Sequence, residues 1–148
     1  MLVRIVALGE KIHNALQEHI KRDGSTYIWK ELAGGCAVGS WLLVDQLKKK
    51  HGMQATFVAS STHAFAEYGD FIYDVTATQF GVINKVLVTH KSEIHKLSSS
   101  WLKSAYTSDT RNGIKHVNEE WPEGQQPRNY RMIWNNQYKA TITYHGKP

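Results

Sequence analysis

Hydrophobic residues near the start of the chain recur at the spacing of an amphipathic helix. Between Leu2 and Arg22 they stand three or four residues apart, so that they share one face. They are Ile5, Leu8, Ile12, Leu16 and Ile20. Gly24 follows as a stop signal, and the pattern therefore predicts a helix over 2–22.

A second helix is predicted directly after the pair Gly34–Gly35, and it is apolar nearly all round at its start. Its apolar residues are Ala37, Val38, Trp41, Leu42, Val44 and Leu47. A helix that lacks a polar face has to be buried. Residues 48–50 are lysines in its last turn, and Gly52 closes the helix after about 15 residues.

From Gln54 onward the period of the pattern changes from helical to extended. Three segments, 54–60, 62–68 and 71–79, are rich in β-branched and aromatic residues, and the last two are separated by Gly69–Asp70. They predict three antiparallel strands, and 82–89 is a candidate fourth strand. A sheet that follows a helix, instead of alternating with it, indicates an α+β fold.

The hydrophobic pattern weakens toward the end of the chain. Residues 91–105 place apolar side chains on one side and predict a helix, although the serines 98–100 are unfavourable within it. Residues 107–129 hold two of the three prolines and are predicted to be mostly loop. The alternation within 131–144 predicts a hairpin.

Length and composition indicate one domain over 1–148. A chain of 148 residues, 41% hydrophobic and 21% charged, suits a single core. It has neither a membrane-length apolar run nor the cleavage site of a signal peptide. Its single cysteine cannot form an internal disulfide. We therefore expect a cytoplasmic protein, with export by a signal-less route as the alternative.

The net charge of +5 raises the question of nucleic-acid binding. The basic residues are scattered, and the densest run, Lys48–Lys50, lies where cations favourably meet the end of a helix dipole. No sequence motif of a nucleic-acid-binding module accompanies them. We expect no specific nucleic-acid partner and no membrane partner. Since no metal-binding motif is present either, we expect no metal and no cofactor.

The only cysteine, Cys36, stands where the glycine pair gives way to the second predicted helix. The glycines allow the backbone to turn tightly and to approach a ligand closely. A helix N-terminus offers unpaired N–H groups and a positive dipole end, which stabilise a thiolate and a developing oxyanion. Cys36 is therefore a candidate nucleophile, and a buried structural thiol is the alternative.

A base and an orienting group for this thiol are found in the predicted strand pair. If Gly69–Asp70 is a two-residue turn, His63 and Asp74 share one face, because side chains alternate faces with a period of two. We expect the Asp74 carboxylate to accept the Nδ1–H of His63 and Nε2 to face Cys36. The apolar residues Phe65 and Ile72 lie on this same face. We therefore expect the helix that begins at Cys36 to pack on it.

Asp74 is the stronger of two candidate carboxylates. Aspartate is depleted in strand interiors, and between Tyr73 and Val75 it would be a buried charge that requires a partner. Asp70, in contrast, is explained by the chemistry of the turn.

The order Cys36, His63, Asp74 resembles the catalytic core of the transglutaminase-like group within the papain-like cysteine fold. The resemblance covers about 33–80 and includes the glycines, the hydrophobic helix and the strand pair T-H-A-F-A-E…G-D-F-I-Y-D-V-T. It implies that the Cys36 thiolate attacks an amide, that His63 moves protons and that Asp74 orients His63. The short separations also resemble the compact leader-peptide proteases of lasso-peptide maturation.

The resemblance departs from papain-like proteases at the oxyanion hole. Those enzymes carry a glutamine a few residues before the cysteine, whereas 25–35 contains none. The resemblance to transglutaminases implies that Trp29 and backbone amides, including that of Cys36, take its place.

These features predict a papain-like or transglutaminase-like α+β domain in which a central buried helix bearing Cys36 packs on an antiparallel sheet. The expected function is hydrolysis or acyl transfer of a protein or peptide amide through a thioester on Cys36, as in a protease or a glutamine deamidase. A peptidoglycan peptide amidase and a non-catalytic binding module of the same fold are the alternatives. A nucleic-acid binder is the least favoured.

Overall fold

The structure, a computed structural model, describes residues 2–23, 36–60, 63–109 and 112–114 of the chain. Within these ranges the helices are α1 (Leu2–Asp23), α2 (Cys36–His51) and α3 (Ser100–Thr107). The strands are β1 (Thr56–Ala59), β2 (Ala64–Tyr68), β3 (Phe71–Asp74), β4 (Leu87–His90) and β5 (Asn112–Ile114). Short 3₁₀ helices span Ala77–Phe80 and Lys91–Lys96.

The described strands form one antiparallel sheet in the order β4-β3-β2-β1-β5. A two-residue turn joins β2 to β3, and its Gly69 has φ +61°, which a glycine adopts at no steric cost. The register pairs Ala66 with Tyr73 and Tyr68 with Phe71, as the turn predicted. The predicted α+β fold, with helices packed on an antiparallel sheet, is confirmed.

Apolar layers cover both faces of the sheet. On one face α1 and α2 pack over a first core, whose strand residues include Phe57, Ala66 and Tyr73. On the other face α3 and the 3₁₀ helices pack over a second core, whose strand residues include Val58, Phe65 and Ile72. Neighbouring residues along each strand thus belong to opposite cores, as the pleat requires.

The predicted packing face of α2 is therefore wrong. Phe65 and Ile72 lie beneath α3, whereas α2, including Cys36, contacts the first core on the opposite side. Both faces of β2 and β3 are apolar, so the alternation of side chains does not indicate which face receives the helix.

Several element boundaries also differ from prediction. β3 ends at Asp74, not at residue 79, because the Asp74 side chain accepts the Thr76 backbone N–H and bends the chain out of the ladder. The predicted helix 91–105 is divided, since Ser99 accepts the Leu102 N–H at 3.2 Å as the N-cap of α3. The strand β5 occupies part of the predicted loop 107–129. The predicted hairpin 131–144 lies outside the described residues.

Helix α2 is buried from Val38 to Leu47 and approaches the sheet closely through Gly39. A Cβ atom at Gly39 would lie 2.7 Å from Cγ2 of Val75 and 3.3 Å from Cγ2 of Thr76, directly after β3. Cys36 lies one turn before this contact. The missing side chain of Gly39 thus brings the start of α2 to the end of β3.

Gly39→Ala is expected to displace the start of α2 and slow the alkylation of Cys36 by iodoacetamide. Overpacking against Val75 should lower the free energy of unfolding by about 1–3 kcal/mol. The better helix propensity of alanine offsets about 1 kcal/mol of this loss. Denaturant unfolding and alkylation rates check this. The comparison variant is Gly9→Ala in α1, whose Cβ would lie 2.8 Å from Cγ2 of Val86 and 3.2 Å from Cγ1 of Val75, so it crowds Val75 without adding a side chain to α2. Equal slowing in both variants would contradict a positioning role for the Gly39 contact.

Candidate active site

The structure brings the side chains of His63 and Asp74 into direct contact. His63 immediately precedes β2 and Asp74 ends β3, so the antiparallel pairing places both at one end of the sheet. Nε2 of His63 lies 2.6 Å from Oδ2 of Asp74. The two residues are only 3% and 0% exposed, so their interaction is shielded from water.

The nitrogen that contacts Asp74 is not the predicted one. We expected Nδ1 to meet the carboxylate, but Nε2 does so, and this expectation is wrong. Nδ1 is buried and makes no hydrogen bond of ordinary geometry to any residue that the structure describes. The orientation depends on side-chain torsions and on the rings packed around His63, which a strand register does not specify.

Cys36 is the partly buried first residue of α2, and it acts on the same imidazole. Its thiol raises the pKa of His63 by charge and by a side-chain interaction. Since Nε2 is occupied by Asp74, Nδ1 is the ring nitrogen that remains for the thiol. His63 and Asp74 are thus in direct contact, and Cys36 is near enough to the imidazole to raise its pKa.

The Asp74 carboxylate is surrounded by hydrogen-bond donors. Oδ1 accepts the backbone N–H of Thr76 at 3.0 Å and its hydroxyl at 3.4 Å. Oδ2 accepts the hydroxyl of Tyr106 at 2.6 Å in addition to Nε2 of His63. An ionised carboxylate only accepts, so Nε2 must carry a hydrogen. Nδ1 is therefore the ring nitrogen that can gain or lose a proton while Nε2 stays hydrogen-bonded to Asp74.

Sequence reasoning missed the hydrogen bonds that Tyr106 and Thr76 donate to Asp74. Tyr106 stands four residues after Leu102, on the face of α3 that packs into the second core, but the predicted helix ended at residue 105. That spacing was the signal that could have revealed it. Thr76 was expected in a strand, where its backbone N–H would not have been available to Asp74.

The charges of this cluster stabilise one another. Burial alone would lower the pKa of His63, but the Asp74 carboxylate and the Cys36 thiol raise it to about 10. Burial would raise the pKa of Asp74, but the imidazolium of His63 and the hydrogen bonds from His63, Tyr106 and Thr76 lower it. At neutral pH the structure thus favours an imidazolium held by an ionised carboxylate.

Aromatic rings enclose His63. The Phe80 ring meets the imidazole edge to face at a centroid distance of 5.1 Å, and the rings of Phe65 and Tyr106 lie at 6.2 and 6.3 Å. Phe80 stacks in turn on Trp101, which is 49% exposed. The rings keep water from the pair and so strengthen its electrostatic interaction.

Two further sequence candidates lie elsewhere. Asp70 is exposed in the turn between β2 and β3, at the far end of these strands from Asp74, and its carbonyl accepts the Lys91 N–H at 2.8 Å. Trp29, expected at the oxyanion hole, lies outside the described residues. The other group expected at the oxyanion hole, the backbone N–H of Cys36, lies within the described residues at the start of α2.

The described residues show neither of two features that would indicate another functional class, a metal-binding cluster or a membrane-spanning helix. Among the described residues, no group of three or more His, Cys, Asp or Glu side chains is arranged to hold a metal ion. The described part of the chain contains no helix with the length and apolar character that a membrane crossing needs. Comparisons with protein-family models, curated proteins and solved structures found no match.

Proposed function

We propose that this protein is a cysteine-dependent amide hydrolase or acyl transferase, of the protease or glutamine deamidase type, acting through a thioester on Cys36. One observation carries the proposal: the buried carboxylate of Asp74 lies 2.6 Å from Nε2 of His63. The Cys36 thiol at the start of α2 is near enough to raise the pKa of the same imidazole. Thiol-based acyl transfer requires this nucleophile, proton carrier and orienting carboxylate. The substrate would be a protein or peptide.

The raised pKa of His63 keeps the imidazole protonated at neutral pH, so Nδ1 carries a proton when acylation begins. The proposed nucleophile is the thiolate form of Cys36, because a thiolate and not a thiol attacks a carbonyl. The sulfur attacks the amide carbonyl carbon, and the carbonyl electron pair moves to oxygen. The N–H groups in the first turn of α2 lack intrahelical acceptors and stabilise this oxyanion. As the C–N bond breaks, Nδ1 gives its proton to the leaving nitrogen.

Deacylation restores the starting state. Water or an amine attacks the thioester carbonyl, and Nδ1 of His63 accepts the proton that the attacking group loses. The C–S bond then breaks, which releases the acid or the new amide and leaves the thiolate beside the imidazolium. Asp74 keeps its negative charge and the orientation of the ring throughout, because its acceptor positions are already filled.

The resemblance to the transglutaminase-like group supports the same reaction. The papain-like topology that this resemblance implies is part of the proposal. The proposal also assigns Cys36 as the nucleophile, His63 as the proton carrier and Asp74 as the orienting group. Hydrolysis is favoured over crosslinking by analogy with small members of this fold.

Cys36 is expected to react with iodoacetamide well below pH 8.5, where an ordinary thiol becomes unreactive. An imidazolium next to a thiol favours the thiolate form, so the pseudo-first-order rate should stay high at lower pH. Intact-mass spectrometry across a pH series measures this rate, and His63→Ala is the control that removes the partner. A rate that follows that of a free thiol, or a thiol silent until denaturation, would contradict the proposal.

The reaction itself is tested with casein as a general protein substrate, followed by peptide mass spectrometry. New chain ends indicate proteolysis, and conversion of glutamine to glutamate indicates deamidation. Hydroxylamine captures the acyl group as a hydroxamate. Clearing of peptidoglycan in a turbidity assay without either casein product would favour the cell-wall amidase instead. A reactive thiol with no turnover in any assay would favour the non-catalytic module.

A further inference from the structure

Tyr106 links the helix α3 to the Asp74–His63 pair. Its hydroxyl donates to Oδ2 of Asp74 at 2.6 Å, the same oxygen that contacts Nε2 of His63. Tyr106 is 0% exposed, and its ring packs edge to face on Phe65 at a centroid distance of 4.8 Å. The position of the hydroxyl is therefore determined by the second core and not by solvent.

We propose that Tyr106 is a positioning residue, whose hydroxyl holds Oδ2 of Asp74 so that this oxygen binds Nε2 of His63 and leaves Nδ1 to Cys36. The inference rests on the proposed function for its catalytic meaning. The effect of Tyr106 on Asp74 and His63, however, can be measured without a substrate. A hydroxyl aimed at one carboxylate oxygen prevents that oxygen from rotating away from the imidazole.

In the hydrogen bond between Tyr106 and Asp74, the tyrosine hydroxyl is always the donor. Burial and the charge of Asp74 raise the pKa of the Tyr106 phenol, so the hydroxyl keeps its proton and always donates. A donor on the charged form of a carboxylate favours that form. Tyr106 thus keeps Asp74 ionised in a buried setting, and Asp74 in turn keeps a hydrogen on Nε2.

The titratable groups around this carboxylate come from several elements. His63 and Tyr106 contact it directly, and Cys36 of α2 acts on it through His63. From α1, Nδ1 of His13 lies 2.8 Å from the carbonyl oxygen of Val75, the residue after Asp74. A change at Tyr106 alone leaves the other groups in place.

The acid limb of the Cys36 alkylation profile is the pH range in which the rate falls as pH is lowered. Tyr106→Phe removes a hydrogen bond to the charged Asp74, so this carboxylate should hold the His63 imidazolium beside Cys36 less well. We therefore expect the acid limb to move to higher pH by about one unit. Asp74 has a lowered pKa when folded, so its contribution to stability is present above its unfolded pKa and is lost as pH falls through the folded value. In the variant the folded pKa of Asp74 should lie closer to its unfolded value, so this contribution is smaller and its loss is complete at a higher pH. Alkylation rates and urea unfolding across acidic pH measure both effects.

Tyr73→Phe is the matched control. Tyr73 is also buried and stands next to Asp74, but it belongs to the first core on the opposite face. Its variant should leave the acid limb unchanged. If Tyr106 acts through Asp74, Tyr106→Phe should shift nothing further in an Asp74→Asn background.

The outcomes separate this inference from the proposed function. An unshifted acid limb in Tyr106→Phe, or an undiminished shift in the Asp74→Asn background, would overturn the role of Tyr106 even if amide turnover is found. If the acid limb shifts as expected but no substrate is turned over, the positioning role of Tyr106 is supported and the proposed enzymatic function is refuted. If Tyr106→Phe does not fold, 3-fluorotyrosine at position 106 donates more strongly and must move the limb to lower pH.

Discussion

Cys36→Ala is expected to abolish amide turnover while leaving the melting temperature nearly unchanged. The thiol supplies the only nucleophile of the proposed mechanism, so no thioester can form without it. Cys36 is partly exposed at the first position of α2, and truncation of a small side chain there removes little packing. Turnover of casein and thermal unfolding, measured on the same preparation, check both halves of this expectation.

A suitable control for this substitution lies one turn further along α2. Ser40 is buried, and its hydroxyl has no hydrogen-bond partner among the residues that the structure describes. Ser40→Ala therefore removes an unsatisfied polar group from the same helix and should keep stability and turnover. Loss of activity in Cys36→Ala together with gross unfolding would instead indicate a structural cysteine.

Asp74→Asn is expected to lower turnover by roughly one to four orders of magnitude, the range open to the orienting member of a triad. The substitution keeps the shape of the side chain but removes the charge that stabilises the imidazolium. The pKa of His63 should then fall well below its present value of about 10, and alkylation of Cys36 at low pH should slow. Steady-state kinetics and the pH profile of alkylation measure the two effects.

Stability provides a second readout for Asp74→Asn. The pKa of His63 is raised above 6.5, so its contribution to stability is complete below that pH and is lost as pH rises to about 10. Without the carboxylate the folded pKa of His63 should fall, so this contribution is smaller and is fully lost at a lower pH. Urea unfolding across the neutral to alkaline range checks this difference between the wild type and the variant.

Asp70→Asn separates the two carboxylates of the hairpin. Asp70 lies in the exposed turn, and its structural contact there is made by its backbone carbonyl, which the substitution keeps. Turnover and alkylation should therefore change little. If Asp70→Asn were damaging while Asp74→Asn kept full turnover, the third member of the proposed triad would be wrongly assigned.

The contact between His63 and Asp74 could be predicted because it depends on local rules. A two-residue turn at Gly69–Asp70 determines the pairing of β2 with β3, and the period of two determines which side chains share a face. The observed register follows those rules. The start of α2 at Cys36 was predictable for a similar reason, since the glycines before it and the apolar run after it are adjacent in sequence.

Other parts of the candidate site depend on contacts between distant elements. Tyr106 reaches Asp74 across 32 residues, and no local pattern relates the two. The choice of Nε2 over Nδ1 depends on the aromatic rings that enclose His63. Each of these contacts depends on how α3 and the first 3₁₀ helix cover the sheet.

The sequence by itself determined the α+β class, the hairpin register and the proximity of His63 to Asp74, because turn chemistry and side-chain alternation act over a few residues. Only the tertiary structure decided which face α2 covers, since both faces of the strands are apolar. It also decided that Gly39 brings Cys36 to the end of β3 and that Tyr106 completes the shell of Asp74. Those outcomes depend on close packing between whole elements, where shape and volume select one arrangement among several that the same pattern of hydrophobic residues permits.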